Sequence, residues 1–213
     1  MKSTIRRLLF AVVAIAMAMP SFAFKLNDVF SVKGEDGNTL LYQITNANLS
    51  NLEVSVNAPR DASTGNNLTP ENPVVVLPAE VTDAFNYHFK VTSIGRFGGT
   101  NITSITVPEG VKKLDEGCFY YRDNLKTIAF LGDAPIEEAN IGTDAFTPQT
   151  GDKTILDNCE NFFVRKDNIN AYKSHRYWET WADKMKTSFE NGTEEYFPMS
   201  DKAVSLLKTT STN

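Results

Sequence analysis

The residue types that could carry nucleophilic catalysis are few and scattered in this sequence. Cys118, Cys159 and the serines are potential nucleophiles, but each would need a general base beside it. The chain has two histidines, His88 and His175, and neither lies in a recognised catalytic motif. Strand alternation around His88 places it outward, opposite its neighbours, as a solvated residue. The sequence therefore predicts no nucleophilic active site.

Acid–base, metal and phosphate motifs are also missing from the sequence. The adjacent acids Asp115-Glu116 and Glu137-Glu138 diverge on an extended chain, unlike the facing carboxylates of a glycosidase. His175 stands beside Lys173 and Arg176, which disfavour a bound cation. There is no paired Cys-x-x-Cys motif, phosphate-binding glycine loop or aspartate-rich calcium loop. We expect a protein that is not an enzyme and has no cofactor or metal.

Aromatic side chains are the better candidates for function. More of them occur than the predicted core requires: Tyr87, Phe97, Tyr120, Tyr121, Tyr172, Tyr177 and Trp178. Exposed rings suit sugar or protein binding, so we single out Tyr87, Tyr120 and Tyr121 as a candidate binding patch. Tyr120 and Tyr121 directly follow the predicted core residue Phe119, so packing over the core is the alternative interpretation.

The segment 1–23 has the features of an export signal. Basic residues precede an uncharged apolar run from Leu8 to Met19, which is short for a membrane span. Ser21 and Ala23 supply small residues at the positions that a signal peptidase reads. We expect cleavage after Ala23 and a periplasmic, cell-surface or extracellular protein, with no membrane insertion of the mature chain.

Composition predicts one globular domain in the mature protein. Removing residues 1–23, with Lys2, Arg6 and Arg7, leaves 190 residues with 18 basic and 26 acidic side chains, a formal charge of −8. This acidic balance argues against a nucleic-acid partner. An apolar content of 41% in the full chain is enough for a core, and two cysteines are too few for a disulfide framework.

Internal similarity predicts stacked structural repeats. The segment Ile102-Thr-Ser-Ile-Thr-Val-Pro108 recurs 23 residues later as Leu125-Lys-Thr-Ile-Ala-Phe-Leu131. A second segment, Leu114–Phe119, recurs 27 residues later as Ile141–Phe146. In the first segment the apolar residues at positions 4 and 6 fall on one face of a strand. A period in the twenties is typical of leucine-rich repeats.

Imperfect copies extend this array in both directions. The segments Val74–Pro78 and Val91–Gly95, joined by a predicted hairpin, form an earlier copy in which two glycines replace the Ala-Phe pair. Cys159–Val164 forms a final copy, with a cysteine at the position of Ile102 and Leu125. We therefore assign residues 74–165 to the repeats.

The pattern apolar-Thr-Ser-Ile-x-Val-Pro followed by Ile-Gly-x-x-Ala-Phe resembles the BspA-like leucine-rich repeats of exported bacterial surface proteins. The resemblance covers roughly residues 74–172. It implies a β-rich leucine-rich-repeat solenoid, α/β horseshoe-like, with a short divergent array. It also implies a non-catalytic binding module for protein–protein interaction or adhesion. A carbohydrate-binding protein that uses exposed aromatics is the alternative.

The flanks of the repeats are predicted to close the ends of the array. Residues 24–73 form an N-terminal β cap and loop, in which strands Val29–Val32 and Leu40–Ile44 meet across a turn at Gly34–Asn38. Residues 166–187 form a C-terminal capping helix that begins at Asp167. The tail, residues 188–213, receives no structural assignment.

The repeat positions make two further predictions. Phe119 and Phe146 are equivalent, so both are expected among the most buried residues. Cys118 aligns with Ala145, and Cys159 aligns with the first apolar residue of the strand motif. Both cysteines thus replace core-filling residues, and we expect free thiols although export favours oxidation.

Overall fold

A computed structural model describes residues 24–61, 63–64, 68, 70–97, 101–120, 124–148 and 153–187 of the chain. These residues are β-rich, with few and short helices, and form one six-stranded and one five-stranded sheet around a shared hydrophobic core. The predicted signal at 1–23 and the tail at 188–213 lie outside the described residues.

The elements are short and follow one another closely. The strands are β1 (Val29–Lys33), β2 (Thr39–Asn48), β3 (Asn51–Asn57), β4 (Val74–Val76), β5 (Glu80–Thr82), β6 (His88–Ile94), β7 (Ser104–Val107), β8 (Lys113–Leu114), β9 (Thr127–Phe130), β10 (Asn161–Val164) and β11 (Met185–Lys186). The helices are α1 (Ile155–Asn158) and α2 (Ile169–Ser174), with 3-10 turns at Glu138–Asn140, Lys166–Asn168 and Glu179–Lys184.

The N-terminal strands form an antiparallel meander, as predicted for the hairpin from Val29 to Ile44. β1 pairs with β2, and β2 pairs with β3. Gly37, in the first turn, has a φ of 85°, a conformation that glycine adopts without steric cost. Leu40, Tyr42 and Ile44 are buried, because alternate residues of β2 face the core.

A ladder of parallel strands forms the five-stranded sheet, in the order β4-β7-β9-β10-β11. Ile105 pairs with Ile128, and Ile128 pairs with Phe162, so the three strand segments stack without a shift in register. This register confirms the alignment of the first repeated segment, including the final copy that begins at Cys159. The segment Val74–Val76 joins the same ladder through β7, as predicted.

A second parallel ladder runs through β3, β6 and β8 in the other sheet. Ile94 pairs with Leu114, and an isolated bridge joins Leu114 to Ile141. This register confirms the alignment of the second repeated segment. β5 folds back on β6 as the predicted hairpin, with Asn86 in the left-handed conformation at a φ of 68°.

A column of phenylalanine rings lies under the turns that follow the second ladder. Phe119 and Phe146 are buried, as predicted, and their rings stack with centroids 5.5 Å apart. The earlier copy, in which two glycines replace the Ala-Phe pair, also contributes a ring to this column. Phe97 is fully buried with its ring centroid 6.4 Å from that of Phe119. It reaches the column through a turn two residues shorter than the one between Leu114 and Phe119.

The prediction of one continuous helix over residues 166–187 is wrong. Asp167 lies within a 3-10 turn and pairs with Arg165 instead of capping a helix. α2 ends at Ser174, and His175 has extended backbone angles. Met185 begins β11, which adds a strand to the five-stranded sheet.

The tryptophans of this segment are nevertheless buried, as the apolar pattern suggested. Trp178 immediately precedes the 3-10 turn Glu179–Lys184, and Trp181 lies within it. Their ring centroids are 6.2 Å apart. Ala171, by contrast, is exposed, and its neighbour Tyr172 is buried in its place.

Candidate binding surface

The five-stranded sheet has one face that points away from the hydrophobic core. Strand alternation and register place nine side chains on it, and we call this set the outer face: Val74, Val76, Ser104, Thr106, Thr127, Ala129, Asn161, Phe163 and Lys186. The intervening residues, such as Ile105 and Ile128, belong to the core. The outer face is thus a regular array of side chains, held by backbone hydrogen bonds.

The centre of the outer face is withdrawn from water. Thr106, Ala129 and Phe163 are exposed by only 1%, 0% and 3%. Ala129 and Phe163 are nevertheless outside the hydrophobic core cluster, which lies on the opposite side of the sheet.

Polar groups on the outer face are only partly hydrogen-bonded. Lys186 Nζ donates to Asn161 Oδ1 at 3.2 Å, and Asn161 Nδ2 donates to Thr127 Oγ1 at 3.3 Å. Among the described residues, the buried hydroxyls of Ser104 and Thr106 have no hydrogen-bond partner. An unsatisfied buried hydroxyl costs about 1–3 kcal/mol, so a hydrogen bond to either group would be stabilising.

The first edge of the outer face is closed by side chains of the β1–β2 turn. Asn38 is fully buried, and its Nδ2 donates to the carbonyl oxygen of Val74 at 3.2 Å. The backbone N–H of Val76 donates to Asp36 Oδ2 at 3.0 Å, and that of Asn72 donates to Asn38 Oδ1 at 2.7 Å. These bonds occupy backbone groups that would otherwise be free on the edge strand β4. Sequence reasoning identified the turn here but missed its role.

The tyrosines proposed from the sequence as a binding patch lie away from the outer-face strands. Tyr87 is half-buried, and its ring meets that of Phe24 edge-on with centroids 4.7 Å apart. Tyr120 is half-buried at the end of the turn that follows β8. Tyr121 lies outside the described residues.

Most of the other aromatic residues that the sequence singled out belong to the core. Phe97, Tyr172 and Trp178 are each 1% exposed or less. Tyr177 is half-buried, and burial raises its pKa to about 12. These rings therefore contribute to the packing of the core.

The two histidines form structural contacts with neighbouring elements. His88 is exposed while Phe89 is buried, which confirms the outward placement of His88. The backbone N–H of Tyr177 donates to His175 Nδ1 at 3.3 Å. The proton of the neutral ring is therefore on Nε2, which donates to Glu137 Oε2 at 3.2 Å. His175 thus joins the loop before α1 to the segment after α2.

Both cysteines are buried free thiols. Cys118 Sγ lies 3.8 Å from the carbonyl oxygen of Ala145, and Cys159 Sγ lies 3.5 Å from that of Leu125. Burial raises the pKa of Cys159 to about 12 and that of Cys118 well above its usual range. Neither group supplies a thiolate nucleophile near neutral pH.

The described ranges contain no cluster of three or more histidine, cysteine, aspartate or glutamate side chains arranged to hold a metal ion. Within the same ranges, every helix is too short or too polar to cross a bilayer.

Comparisons with known proteins gave one structural similarity. No protein-family model matches the sequence, and no curated protein matches it. The chain is similar to a solved structure described as a leucine-rich repeat protein from Bacteroides capillosus ATCC 29799, with 20% identity and a TM-score of 0.42. The match covers 65% of this chain and 84% of that chain.

Proposed function

We propose that the protein is an exported, non-catalytic binding module of the leucine-rich-repeat type. Its two parallel ladders support a short solenoid, in which each repeat buries its apolar face against its neighbours. The β1–β3 meander serves as the N-terminal cap of this solenoid. The α2 segment and the two tryptophans after it close the other end. Such stacking holds side chains on a rigid frame, which suits binding.

The observation that carries this proposal is the outer face of the five-stranded sheet. Small and polar side chains lie on it at fixed spacings, and the hydroxyls of Ser104 and Thr106 have no hydrogen-bond partner within the described ranges. A polypeptide can supply both apolar contact and backbone hydrogen bonds to such a face. Phe163 is the one aromatic residue among the nine, so the face favours a protein over a stacked sugar ring.

Export is part of the proposal and has its own test. It is supported by the basic, apolar and small-residue segments that precede Phe24 in the sequence. The intact mass of the protein recovered from the cell envelope or medium should correspond to a chain that begins at Phe24. A mass that includes residues 1–23 would contradict export by cleavage.

Partner binding is tested by capture on the immobilised mature chain. Proteins of the same cell envelope are captured on the native chain and on Thr127→Arg, which places a bulky cation on the outer face. Thr92→Arg, on β6 of the other sheet, is the matched control. We expect a captured protein that Thr127→Arg loses and Thr92→Arg retains, with far-UV circular dichroism unchanged. Capture of nothing, or equal capture by all three chains, would reject the proposal.

A further inference from the structure

We propose that strand β1 is a dimerisation edge, at which two copies of this chain pair antiparallel about a two-fold axis. β1 (Val29–Lys33) is the first strand of the six-stranded sheet, and within that sheet it pairs with β2 on one side. The outer face belongs to the other sheet. The inference therefore goes beyond the proposed function and can be tested separately from it.

The register of β1 against β2 shows which backbone groups of β1 point away from the sheet. The backbone N–H of Ile44 donates to the carbonyl oxygen of Asp28 at 2.9 Å. At the other end of β1, the N–H of Gly34 donates to the carbonyl oxygen of Asn38 at 2.8 Å. Residues of an antiparallel pair alternate between bonding the neighbouring strand and pointing away from it. The N–H and C=O groups that point outward therefore belong to Val29, Ser31 and Lys33.

β1 is the longest unblocked edge among the described strands. At the β4 edge of the five-stranded sheet, Asn38 and Asp36 already bond the backbone of the strand. The other two edge strands are shorter, since β5 has three residues and β11 has two. β1 has five residues and no proline, and its outward residues are exposed. An edge strand of this kind is a template for pairing with a further strand.

The order of the outward residues favours a second copy of this chain as that further strand. When Ser31 lies opposite Ser31 of the second copy, Val29 lies opposite Lys33 of that copy, on both sides of the axis. All three outward residues then face outward residues, and each pair exchanges two backbone hydrogen bonds. Every other two-fold register of β1 matches fewer of them.

The side chains also fit this register. Opposed residues of an antiparallel pair lie on the same face, and two serines at the axis are small enough to avoid a clash. Like charges do not meet, because each Lys33 lies opposite a valine. Val29 is 56% exposed and can pack on the aliphatic stem of that lysine. The ion pair of Lys33 with Glu71, at 3.7 Å, leaves the Lys33 side chain 64% exposed.

The length of β1 determines the strength and the size of the assembly. Pairing of one five-residue edge buries less than the roughly 1,200 Å² at which stable interfaces begin, so the dimer is weak. We expect a dissociation constant between about 10 µM and 1 mM. Each copy covers the edge of the other, so the two-fold contact is closed and builds no larger species.

Sedimentation velocity of the full mature chain measures this equilibrium over the same concentration range. Ser31→Pro removes the N–H at the centre of the contact, and proline is tolerated where an edge strand faces solvent. It should raise the dissociation constant at least about tenfold, because both hydrogen bonds at the axis are lost. Ser31→Ala keeps the N–H and is the matched control, with an expected change of less than about twofold. Far-UV circular dichroism should remain native in both variants.

Substitutions at the exposed Val29 test the register and suffice alone if Ser31→Pro does not fold. Val29→Glu places a carboxylate opposite Lys33 of the second copy, whereas Val29→Lys places two ammonium groups opposite each other. The dissociation constant of Val29→Lys should exceed that of Val29→Glu at least roughly fivefold at low salt, and less at high salt. Net charge alone predicts the opposite order, because the mature chain carries −8 and Val29→Glu makes it more negative.

Three results would overturn the proposal. The first is a chain that stays monomeric at about 1 mM, which would leave the edge to a strand of another protein. The second is a dimer that a folded Ser31→Pro variant retains at native strength, which would assign the contact to another surface. The third is dimerisation of Val29→Lys as tight as that of Val29→Glu, which would exclude this register. None of these outcomes depends on whether the outer face captures a partner.

Discussion

At the scale of single residues, the close approach of neighbouring repeats is visible at Gly142. A Cβ there would lie 2.3 Å from the backbone nitrogen of Glu116 and 2.6 Å from the carbonyl carbon of Asp115. These are backbone atoms, fixed by the hydrogen bond from Gly142 N to the carbonyl oxygen of Leu114. Glycine is required at position 142 because a side chain has no room there. Its backbone conformation is not the reason, since its φ is not in the left-handed region.

Gly142→Ala should therefore lower the free energy of unfolding by more than about 2 kcal/mol, because the two backbones must separate. Gly37→Ala is the control, since its Cβ meets no atom within 4 Å and its φ is 85°. That backbone conformation alone costs an alanine about 1–2 kcal/mol. Urea denaturation measures both, and a Gly142→Ala effect smaller than that of Gly37→Ala would contradict the fit of the ladders.

The cysteines give a second prediction at this scale. Unfolded, unreduced protein should contain two titratable sulfhydryls, and the native protein should react far more slowly because burial raises both pKa values. The Cys159 thiol stabilises the fold below its unfolded pKa of 9.0, and this contribution is lost as pH rises toward about 12. Absence of any reactive sulfhydryl in the unfolded chain would show a disulfide and refute the prediction.

Residue-level burial was predictable only where the repeat pattern determines it. The positions of Phe119 and Phe146 follow from the two copies of one motif. The alternation of polar and apolar residues in this strand does not by itself indicate that Ser104 and Thr106 are buried, although both are.

At the scale of elements, the β1–β2 turn acts as an edge block for the five-stranded sheet. The Asn38 amide bonds both the carbonyl oxygen of Val74 and the backbone N–H of Asn72. An uncovered edge strand is a template for pairing with other chains, so this network protects the protein against association.

Asn38→Ala should cost roughly 2–4 kcal/mol, because it leaves buried backbone groups without partners. Asn48→Ala in the β2–β3 turn is the control, since the Asn48 side chain is exposed and bonds only to Ser50. It should change stability by about 0.5 kcal/mol or less. Thermal denaturation with light scattering should show earlier aggregation for Asn38→Ala, and equal behaviour of the two variants would contradict the edge-block role.

α1 is stabilised at both ends by side chains. The Thr154 hydroxyl and the Asp157 carboxylate form a capping box at its start. Lys184 Nζ donates to the carbonyl oxygens of Leu156, at 3.3 Å, and of Asp157 at its end. Burial opposes ionisation of Asp157, but hydrogen bonds from Trp181 and Thr154 and the charge of Lys184 outweigh it and lower its pKa.

This lowered pKa predicts a pH-dependent stability. A carboxyl group with a depressed folded pKa contributes stability above its unfolded value of 3.8 and loses it as pH falls further. Asp157→Asn should be less stable than the native chain at pH 7, and the difference should shrink below about pH 4. Asp183→Asn, on an exposed position, is the matched control. Urea denaturation over a range of pH measures this difference in stability. A difference that does not change with pH would contradict the lowered pKa of Asp157.

Elements with regular alternation were predictable, and those shaped by tertiary packing were not. The β1–β2 hairpin and the strands of the first ladder follow from period-two patterns and turn residues. The apolar spacing from Ala171 to Met185 suggested one helix, but tertiary contacts divide it into α2, a 3-10 turn and β11. Met185 pairs with Phe162 in the sheet, and this pairing is incompatible with a helix that continues to Met185.

At the scale of the whole molecule, one core runs through both sheets. It includes Leu40 of the meander, Phe119 under the turns and Trp181 near the C-terminal end of the described chain. The phenylalanine column continues into the closing segment, because Trp178 meets the ring of Phe146 with centroids 6.1 Å apart. Burial at one end of the array is therefore coupled to burial at the other.

A continuous core of this kind predicts that the protein unfolds in one cooperative transition, despite its repeated construction. In a repeat array each unit contacts only its neighbours, so loss of a central contact weakens both halves. Phe119→Ala should lower the free energy of unfolding by about 3–5 kcal/mol, as expected for a buried ring removed without collapse of the cavity. Both tryptophans of the chain, at positions 178 and 181, lie near the C-terminal end of the described chain, so their fluorescence reports on that end.

The same transition should be seen by far-UV circular dichroism, which reports on strands throughout the molecule. For Leu40→Ala, in the N-terminal meander, the fluorescence midpoint in urea should fall together with the circular dichroism midpoint, although no tryptophan is near the substitution. Transitions that coincide when followed by two probes indicate that a domain unfolds in a two-state manner. If Leu40→Ala shifts only the circular dichroism transition, the ends unfold independently, and the core is divided into separate cooperative units.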